Sequence, residues 1–422
     1  MDNIVVTRVG IIGAAPHRYL DLLLHPKVKS VRYFYFDNEE KNYQALLETY
    51  SLHKTDSTAN FSGRKFRWYS FFTKYIQLVK KLDMLLSLIP NEMLRIIAQE
   101  FTKADILMIG DNDYDCSIGL AAVCAILGIP YVLTFKETRF RKDDILEKWA
   151  LEGATKIVVP HRGYVDFIKK KHGIDISKKV IFADVDWRSK FIFDKYIRNK
   201  QVQKLSERDG RLHVCILASR TIWDPKETRS KGRYYYVDII EKLLKSGFVV
   251  HLHTNAIIKS LDEPIFVRDN PYTHLEKRFP GKFLIEKPID LKRPEGYYEL
   301  MRYDLGLLTS GKVEDEIFME FEKYNIPNRY YEYKHAGVVP IAPKGVLKYM
   351  EENCEDVIFF EEPTEIYEKI HEVEYLRIQF YRNLVDKVIS ELFLEPCCED
   401  EYILDLKKDR KGFNIKFSDK KK

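Results

Sequence analysis

Residues 104 to 135 read "ADILMIGDNDYDCSIGLAAVCAILGIPYVLTF". "ADILMIGD" is a short apolar run ending on glycine and aspartate, as a buried strand does where it opens into a loop. "SIGLAAVCAILG" has no polar face and stops at Gly128, which is the pattern of a buried helix. "IPYVLTF" is a strand again, rich in branched and aromatic residues. Residues 118 to 135 carry no charge over a length close to the ~18 residues of a membrane span, but Gly128 and Pro130 split the run. Strand, helix and strand in succession make a βαβ unit, the building block of a parallel sheet covered by helices.

The same rhythm continues on both sides. Before it come "VTRVGIIGA" (strand), "HRYLDLLLHP" (helix) and "VRYFYFD" (strand); after it come a charged helix near 141 to 152, "ATKIVVP" (strand), "RGYVDFIKKKHG" (helix) and "KVIFADVD" (strand). A polar interval over 195 to 210 interrupts the pattern, which then restarts with "RLHVCILAS", "RYYYVDIIEKLLKSG", "FVVHLHT", "KFLIEKP", "GYYELMRY" and "DLGLLTS". The expected fold class is α/β, with two Rossmann-like doubly wound parallel-sheet domains facing a cleft. The expected division is a first domain over 1–194, a linker over 195–210, a second domain over 211–373, and a helix crossing back with a basic tail over 374–422. A ligand would lie between the halves, at the carboxyl ends of the strands.

Bulk properties narrow the function classes. The net charge of +5 is the small remainder of 69 basic against 64 acidic residues, which excludes a general nucleic-acid binder unless the charge is localised. The six cysteines form no CxxC pair and no Cys/His ligand spacing, so neither a disulfide framework nor a zinc site is expected. A reducing, cytoplasmic compartment follows from that usage, and "MDNIVVTRVGIIG" has none of the marks of a secretory signal.

The second half also contains "NIPNRYYEYKHAGVVPIAP", residues 325 to 343. Asn325 can cap a helix that tolerates Pro327 in its first turn and ends at Gly337, so a helix over about 326 to 336 is expected. Ile326, Tyr330, Tyr333 and Gly337 share one stripe, which packs; Asn325, Asn328 or Arg329, and Glu332 share another, which can meet a ligand. "VVPIAP" is a strand whose Pro340 marks an edge or an unpaired position.

Other candidates lie at strand ends. Asp111 and Asp113 lie where the strand at 104 to 111 opens into the cleft, so they could bind acceptor hydroxyls or assist proton transfer. Gly10 and Gly13 permit close backbone approach after the first strand, without a full dinucleotide fingerprint. His17, His251 and His253 read as structural. Residues 62 to 90 are basic and aromatic, with Phe72, Tyr75, Val79, Leu82 and Leu86 at helical spacing. That stretch is either a packed amphipathic helix or a surface for the inner face of a membrane.

Taken in order, "ADILMIGDNDYDCSIGLAAVCAILGIPYVLTFKE", "ATKIVVPHRGYVDFIKKKHGI", "YDLGLL" and "NIPNRYYEYKHAGVVPIAP" resemble the retaining, B-type (GT-B) glycosyltransferases that include glycogen-synthase-like and mannosyltransferase-like enzymes. The resemblance implies a hexosyltransferase-like enzyme of polysaccharide biosynthesis, moving a sugar from a nucleotide-sugar donor to a glycan or lipid-linked acceptor. It implies no cofactor and no metal, with cations beside the diphosphate doing the electrostatic work. Glu332 would accept hydrogen bonds from the two ribose hydroxyls, with Asn328, Arg329 and Gly13 also at the donor. In "ASRTIWDPKETRSKGRYYY", Arg220 matches the family's arginine and Lys231 its lysine, with Lys226 and Arg229 as rivals. Two departures stand out: Tyr324 occupies the place of a family glutamate, and Lys136, followed by Glu137, replaces the family's active-site histidine. Lys136, Glu137, Asp111 and Asp113 are the candidate catalytic residues. A non-catalytic sugar-nucleotide or glycan binder is the alternative, and a nicotinamide-dependent oxidoreductase a more distant one.

Overall fold

The computed structural model describes residues 7–12, 28–36, 60–66, 89, 91–110, 114–136, 138, 144–183, 193–226, 232–261, 263–312, 316–371, 404–409 and 412–417. Strands β1 (Thr7–Ile12), β2 (Val28–Phe36), β3 (Asn60–Phe66), β4 (Ile106–Ile109), β5 (Val132–Thr134), β6 (Lys156–Val159) and β7 (Val180–Phe182) form one sheet in the order β3-β2-β1-β4-β5-β6-β7. Strands β8 (His213–Ala218), β9 (Thr221–Ile222), β10 (Val249–Thr254), β11 (Ile257–Ile258), β12 (Phe283–Glu286), β13 (Leu305–Leu307), β14 (Val339–Pro343) and β15 (Ile358–Phe360) follow. Six of them form a second sheet in the order β12-β10-β8-β13-β14-β15, while β9 and β11 pair separately. Neighbours in both sheets are parallel. Each sheet therefore winds both ways from its first strand, reversing between β1 and β4 and between β8 and β13, as the expected fold class requires.

Burial explains the elements. The run at 104 to 135 divides where glycine and proline demand: a helix over Tyr114–Ile126, Gly128 at φ 65°, then β5. Ile118 and Leu120 to Cys124 are within 1 % of full burial, which is why that helix needs no polar face. Among the described residues no helix is long and apolar enough to cross a membrane. Helix Val237–Lys245 buries Val237, Ile239, Ile240, Leu243 and Leu244, one stripe at helical spacing. Helix Arg162–His172 is capped by the His161 side chain, which accepts from Gly163 N, and ends at Gly173 in the left-handed region.

Several elements differ from the expectation. Asn60–Phe66 is a strand paired along its length with β2, so the basic aromatic stretch begins inside the first sheet; Phe72, Tyr75, Val79, Leu82 and Leu86 lie outside the described residues. Gly10 sits within β1, between Arg32 and Leu107, not after it. Helices Asn91–Phe101, Pro271–Arg278 and Glu316–Glu322 add to those expected. Leu404–Asp409 and Gly412–Phe417 form an antiparallel hairpin in what reads as a basic tail; the helix expected over 374 to 394 lies outside the described residues.

Helix Glu316–Glu322 and residues after it also join the halves. His161 Nε2 lies 2.7 Å from Tyr324 O, and its ring stacks on Tyr349 with centroids 3.3 Å apart. Phe321 packs edge-on against Tyr164 and Phe167 of the first half. Burial lowers the His161 pKa to about 4, so this contact is uncharged at neutral pH.

Candidate functional site

The reversal between β8 and β13 leaves a crevice at the carboxyl ends of the second sheet. A cleft of about 580 Å³ opens there, walled by Ala218 at the end of β8 and Ser219 after it, by the 288–292 segment, and by Asn328, Arg329 and Glu332. A second cavity of about 180 Å³ shares Ser219, Asn328 and Arg329 and reaches Lys136 of the first half.

The wall bearing Glu332 is set by helix Asn328–His335, which begins two residues later than the sequence suggests. Asn325 is not its cap: buried at 3 % exposure, it donates through Nδ2 to Glu322 Oε2 at 2.8 Å. Pro327 takes the cap position without a side-chain bond, and its carbonyl accepts from Tyr330 N. The two stripes separate as read. Tyr330 and Tyr333 are buried at 4 % and 0 % exposure, whereas Asn328, Arg329 and Glu332 line the cleft. Tyr333 seats its ring on Gly306 of β13, where a Cβ would stand 2.5 Å from ring atoms. Its hydroxyl accepts from Leu217 N at 3.2 Å and can donate to Cys215 O at 3.1 Å, so the helix is locked onto the floor of the cleft. Pro340 is interior to the sheet. Val339 N and Ile341 O bond toward β13, so Pro340 faces β15, whose pairing starts only at Ile341. It is the unpaired position, not an edge.

Arg329 is spent on structure. Its Nη2 donates to Tyr236 Oη at 2.8 Å and its Nη1 to Leu308 O at 3.3 Å. Asn328 differs, because its buried Oδ1 has no hydrogen-bond partner among the described residues. A buried acceptor in that state is suited to a ligand N–H or O–H.

Lys136 lies at the end of β5, only 5 % exposed, on the wall of the smaller cavity. Its carbonyl accepts from Tyr164 Oη at 3.1 Å. Two residues on, Thr138 Oγ1 donates to Glu147 Oε1 at 2.7 Å, which also receives Lys171 Nζ at 2.8 Å and stands 2.6 Å from His172 Nε2. Burial pushes the Glu147 carboxyl up, but bonds from His172 and Lys171 outweigh it and bring the pKa to about 2.

Opposite Lys136 the structure places two residues that sequence reasoning passed over. Arg233 Nε stands 3.2 Å from Glu322 Oε1, at ion-pair distance but without hydrogen-bond alignment. Glu322 is 3 % exposed, and both line the smaller cavity. The available signal for Glu322 is its place two residues before Tyr324, where the family glutamate is missing. Arg220 is exposed on the turn after β8 and lines neither cavity; Lys226 is exposed too. Gly13, Asp111, Asp113, Glu137, Arg229, Lys231 and His17 lie outside the described residues.

Neither protein-family models nor curated protein sequences match this chain. Solved structures do. An assigned UDP-N-acetylglucosamine 2-epimerase from Listeria monocytogenes aligns with 10% identity over 87% of this chain and 88% of its own, with a TM-score of 0.50. The trehalose-6-phosphate synthase OtsA (10% identity; 92% and 94% covered; TM-score 0.49) and the α,α-trehalose 6-phosphate synthase of Burkholderia multivorans (11%; 92% and 93%; 0.48) score slightly lower. At such identities the likeness concerns the fold. The chain has the GT-B architecture, two Rossmann-like parallel-sheet domains with a cleft at their strand ends.

Proposed function

We propose that the protein is a glycosyltransferase that uses a nucleotide-sugar donor and transfers the sugar, with retention, to a glycan or lipid-linked acceptor. The observation that carries this reading is the larger cleft itself: it lies at the switch point of the second sheet, with Glu332 and the Asn328 Oδ1, without a partner among the described residues, on one wall. Glu332 accepts the ribose hydroxyls. The smaller cavity takes the transferred sugar, with Lys136, Arg233 and the Glu322 carboxylate around it. Lys136 and Arg233 stabilise the charge that grows on the departing diphosphate, so the reaction requires no metal. The acceptor enters from the first half, where Asp111, Asp113 and Glu137 follow β4 and β5. Work at the cytoplasmic face of a membrane, through residues 62 to 90, fits a lipid-linked acceptor.

Calorimetry against UDP, GDP, ADP and CMP tests the reading. One nucleotide should bind clearly better than the rest, and Glu332→Ala should weaken it by roughly 1 to 3 kcal/mol, the scale of charged hydrogen bonds. Unchanged affinity in that variant removes Glu332 from the site. The buried Lys136 favours a second reading, a binder that holds a nucleotide sugar without transferring it; binding with no hydrolysis or transfer under any acceptor condition would select it.

A further inference from the structure

Glu322, on the wall of the smaller cavity, ends a helix that the opposite half of the molecule holds. Helix Glu316–Glu322 belongs to the second half by sequence, yet Phe321, with no exposed surface, sits in the hydrophobic core of the first half, and Tyr324 packs against that core. The receiving surface is helix Arg162–His172 with its cap. Tyr164, Phe167 and Lys170 follow one another about a turn apart on it. The first two meet the Phe321 ring edge-on, with centroids 5.9 and 5.6 Å away, and Lys170 Nζ lies 3.0 Å from Glu320 Oε1. His161 Nδ1 accepts from Gly163 N at 3.1 Å, so its Nε2 carries the hydrogen and donates it to Tyr324 O at 2.7 Å. One imidazole therefore caps the start of a first-half helix and ties down the chain that leaves a second-half helix. Tyr349 completes the contact: its ring stacks on that imidazole, and its N donates to Lys323 O at 2.8 Å.

Both sides of the smaller cavity depend on this docking. Glu322 and Asn325, joined by the Asn325 Nδ2 bond, come one and four residues after Phe321 and form one side. On the other side Tyr164, whose ring meets Phe321, donates through its hydroxyl to Lys136 O at 3.1 Å. Lys136 and Glu322 come from opposite halves and are both buried, so a ligand that enters from the larger cleft meets the two together only while the segment is docked. The contact is also built for a close fit. Gly163 lies in the first turn of its helix, where alanine would be the more favourable residue, but a Cβ there would stand 2.4 Å from the Tyr324 ring. One aromatic ring, one hydrogen-bonded imidazole and an ion pair whose lysine is exposed make a contact of the kind that opens and closes below the free energy of global unfolding.

We infer that residues 316–325 form a clasp. Docked on the first half, the clasp sets Glu322 opposite Lys136 and completes the smaller cavity; released, it takes Glu322 away and parts the cavity walls. His161, Tyr164 and Phe321 are positioning residues in this scheme. A ligand that touches both walls holds the clasp shut. That last step rests on the nucleotide-sugar reading above, whereas the clasp itself does not.

Amide hydrogen exchange of the full chain, without a ligand, tests the clasp. In the wild type the amides of Tyr324, Asn325 and Tyr349, which bond within the segment or onto it, should exchange as one unit and faster than those of β8 and β14. Gly163→Ala drives a methyl group at Tyr324 from outside both cavities, and alanine suits its helix. In that variant the clasp amides should exchange about tenfold faster, with those of helix Arg162–His172 unchanged. Lys170→Glu, which sets a like charge against Glu320 at the surface, should accelerate them about threefold and decides the matter if the alanine variant does not fold. Clasp amides that exchange no faster in either variant, or that exchange only together with both sheets, overturn the proposal. For the coupling, UDP, GDP and ADP are added in turn. The one that binds should slow clasp exchange about tenfold in the wild type and bind about tenfold more weakly to Gly163→Ala. A bound nucleotide that leaves clasp exchange unchanged overturns the coupling and leaves the nucleotide reading standing. A clasp that opens as one unit in a protein binding none of UDP, GDP, ADP or CMP upholds the clasp and sinks the nucleotide reading instead.

Discussion

Lys136 and Glu332 line adjoining cavities from opposite halves of the molecule, one at the end of β5 and the other on the helix before β14. The sheets beneath them are wound alike, yet the supports differ in kind. The Lys136 loop is held by charge: Glu147, with no exposed surface, gathers Thr138, Lys171 and His172 around one carboxylate oxygen. The Glu332 helix is held by shape, with Tyr333 pressed onto the bare backbone of Gly306. A charged anchor depends on pH and fails when one partner is removed, because the remaining charges stay buried. An aromatic plug is indifferent to pH and fails when its socket is filled.

Breaking the charged anchor should have the larger effect. Glu147→Gln leaves Lys171 and His172 facing a neutral amide and should cost about 3 to 5 kcal/mol in urea denaturation. The sign of the pH dependence follows from the lowered pKa. The Glu147 contribution is complete above its unfolded value of 4.5 and is lost as pH falls through about 2. Wild-type stability should therefore drop across that acid window, and the variant should lose that part of the slope. A variant as stable as the parent would mean that the cluster does not hold the loop.

Filling the socket comes second. Gly306→Ala places a methyl group about 2.5 Å from the Tyr333 ring, with the strand on one side and the sheet core on the other. The expected loss is ~1 to 3 kcal/mol, read from the denaturation midpoint, and it should not change between neutral and acid pH. A loss that grows in acid would erase the distinction between the two anchors.

The two regions were also unequally legible in the sequence. The βαβ succession at 104 to 135 is plain because burial on all sides leaves uninterrupted apolar runs, and glycine and proline mark their ends. Strand β3 is hidden, since "NFSGRKF" shows no apolar–polar alternation, with only polar, glycine and basic residues between Phe61 and Phe66, and it gains its pairing from β2, far off in sequence. The stripe of Asn328, Arg329 and Glu332 follows from helical spacing alone. Where that helix starts does not, because Asn325 serves Glu322 in place of the cap. The Arg233–Glu322 pair and the Glu147 cluster join residues 89 and 24 or 25 positions apart, beyond the reach of any local pattern. Lys136 stood out only by comparison with a family whose histidine it replaces.

The smallest test removes a single oxygen from the shape-held side. Tyr333→Phe keeps the ring on Gly306 but leaves Leu217 N without the acceptor it has at 3.2 Å, and Cys215 O without a donor. One such unsatisfied pair should cost about 1 kcal/mol, because the wild-type hydroxyl, whose pKa burial raises well above its ordinary value, stays protonated and hydrogen-bonded at any working pH. Leu217 lies on the edge of the larger cleft, so the floor should relax there slightly. Tyr333 itself is wholly buried and cannot touch a ligand, so nucleotide affinity should change by no more than about threefold, less than 1 kcal/mol. A loss as large as that of Glu332→Ala, with stability intact, would mean that the tyrosine hydroxyl sets the geometry of the whole cleft and that Glu332 is only one of the groups it aligns.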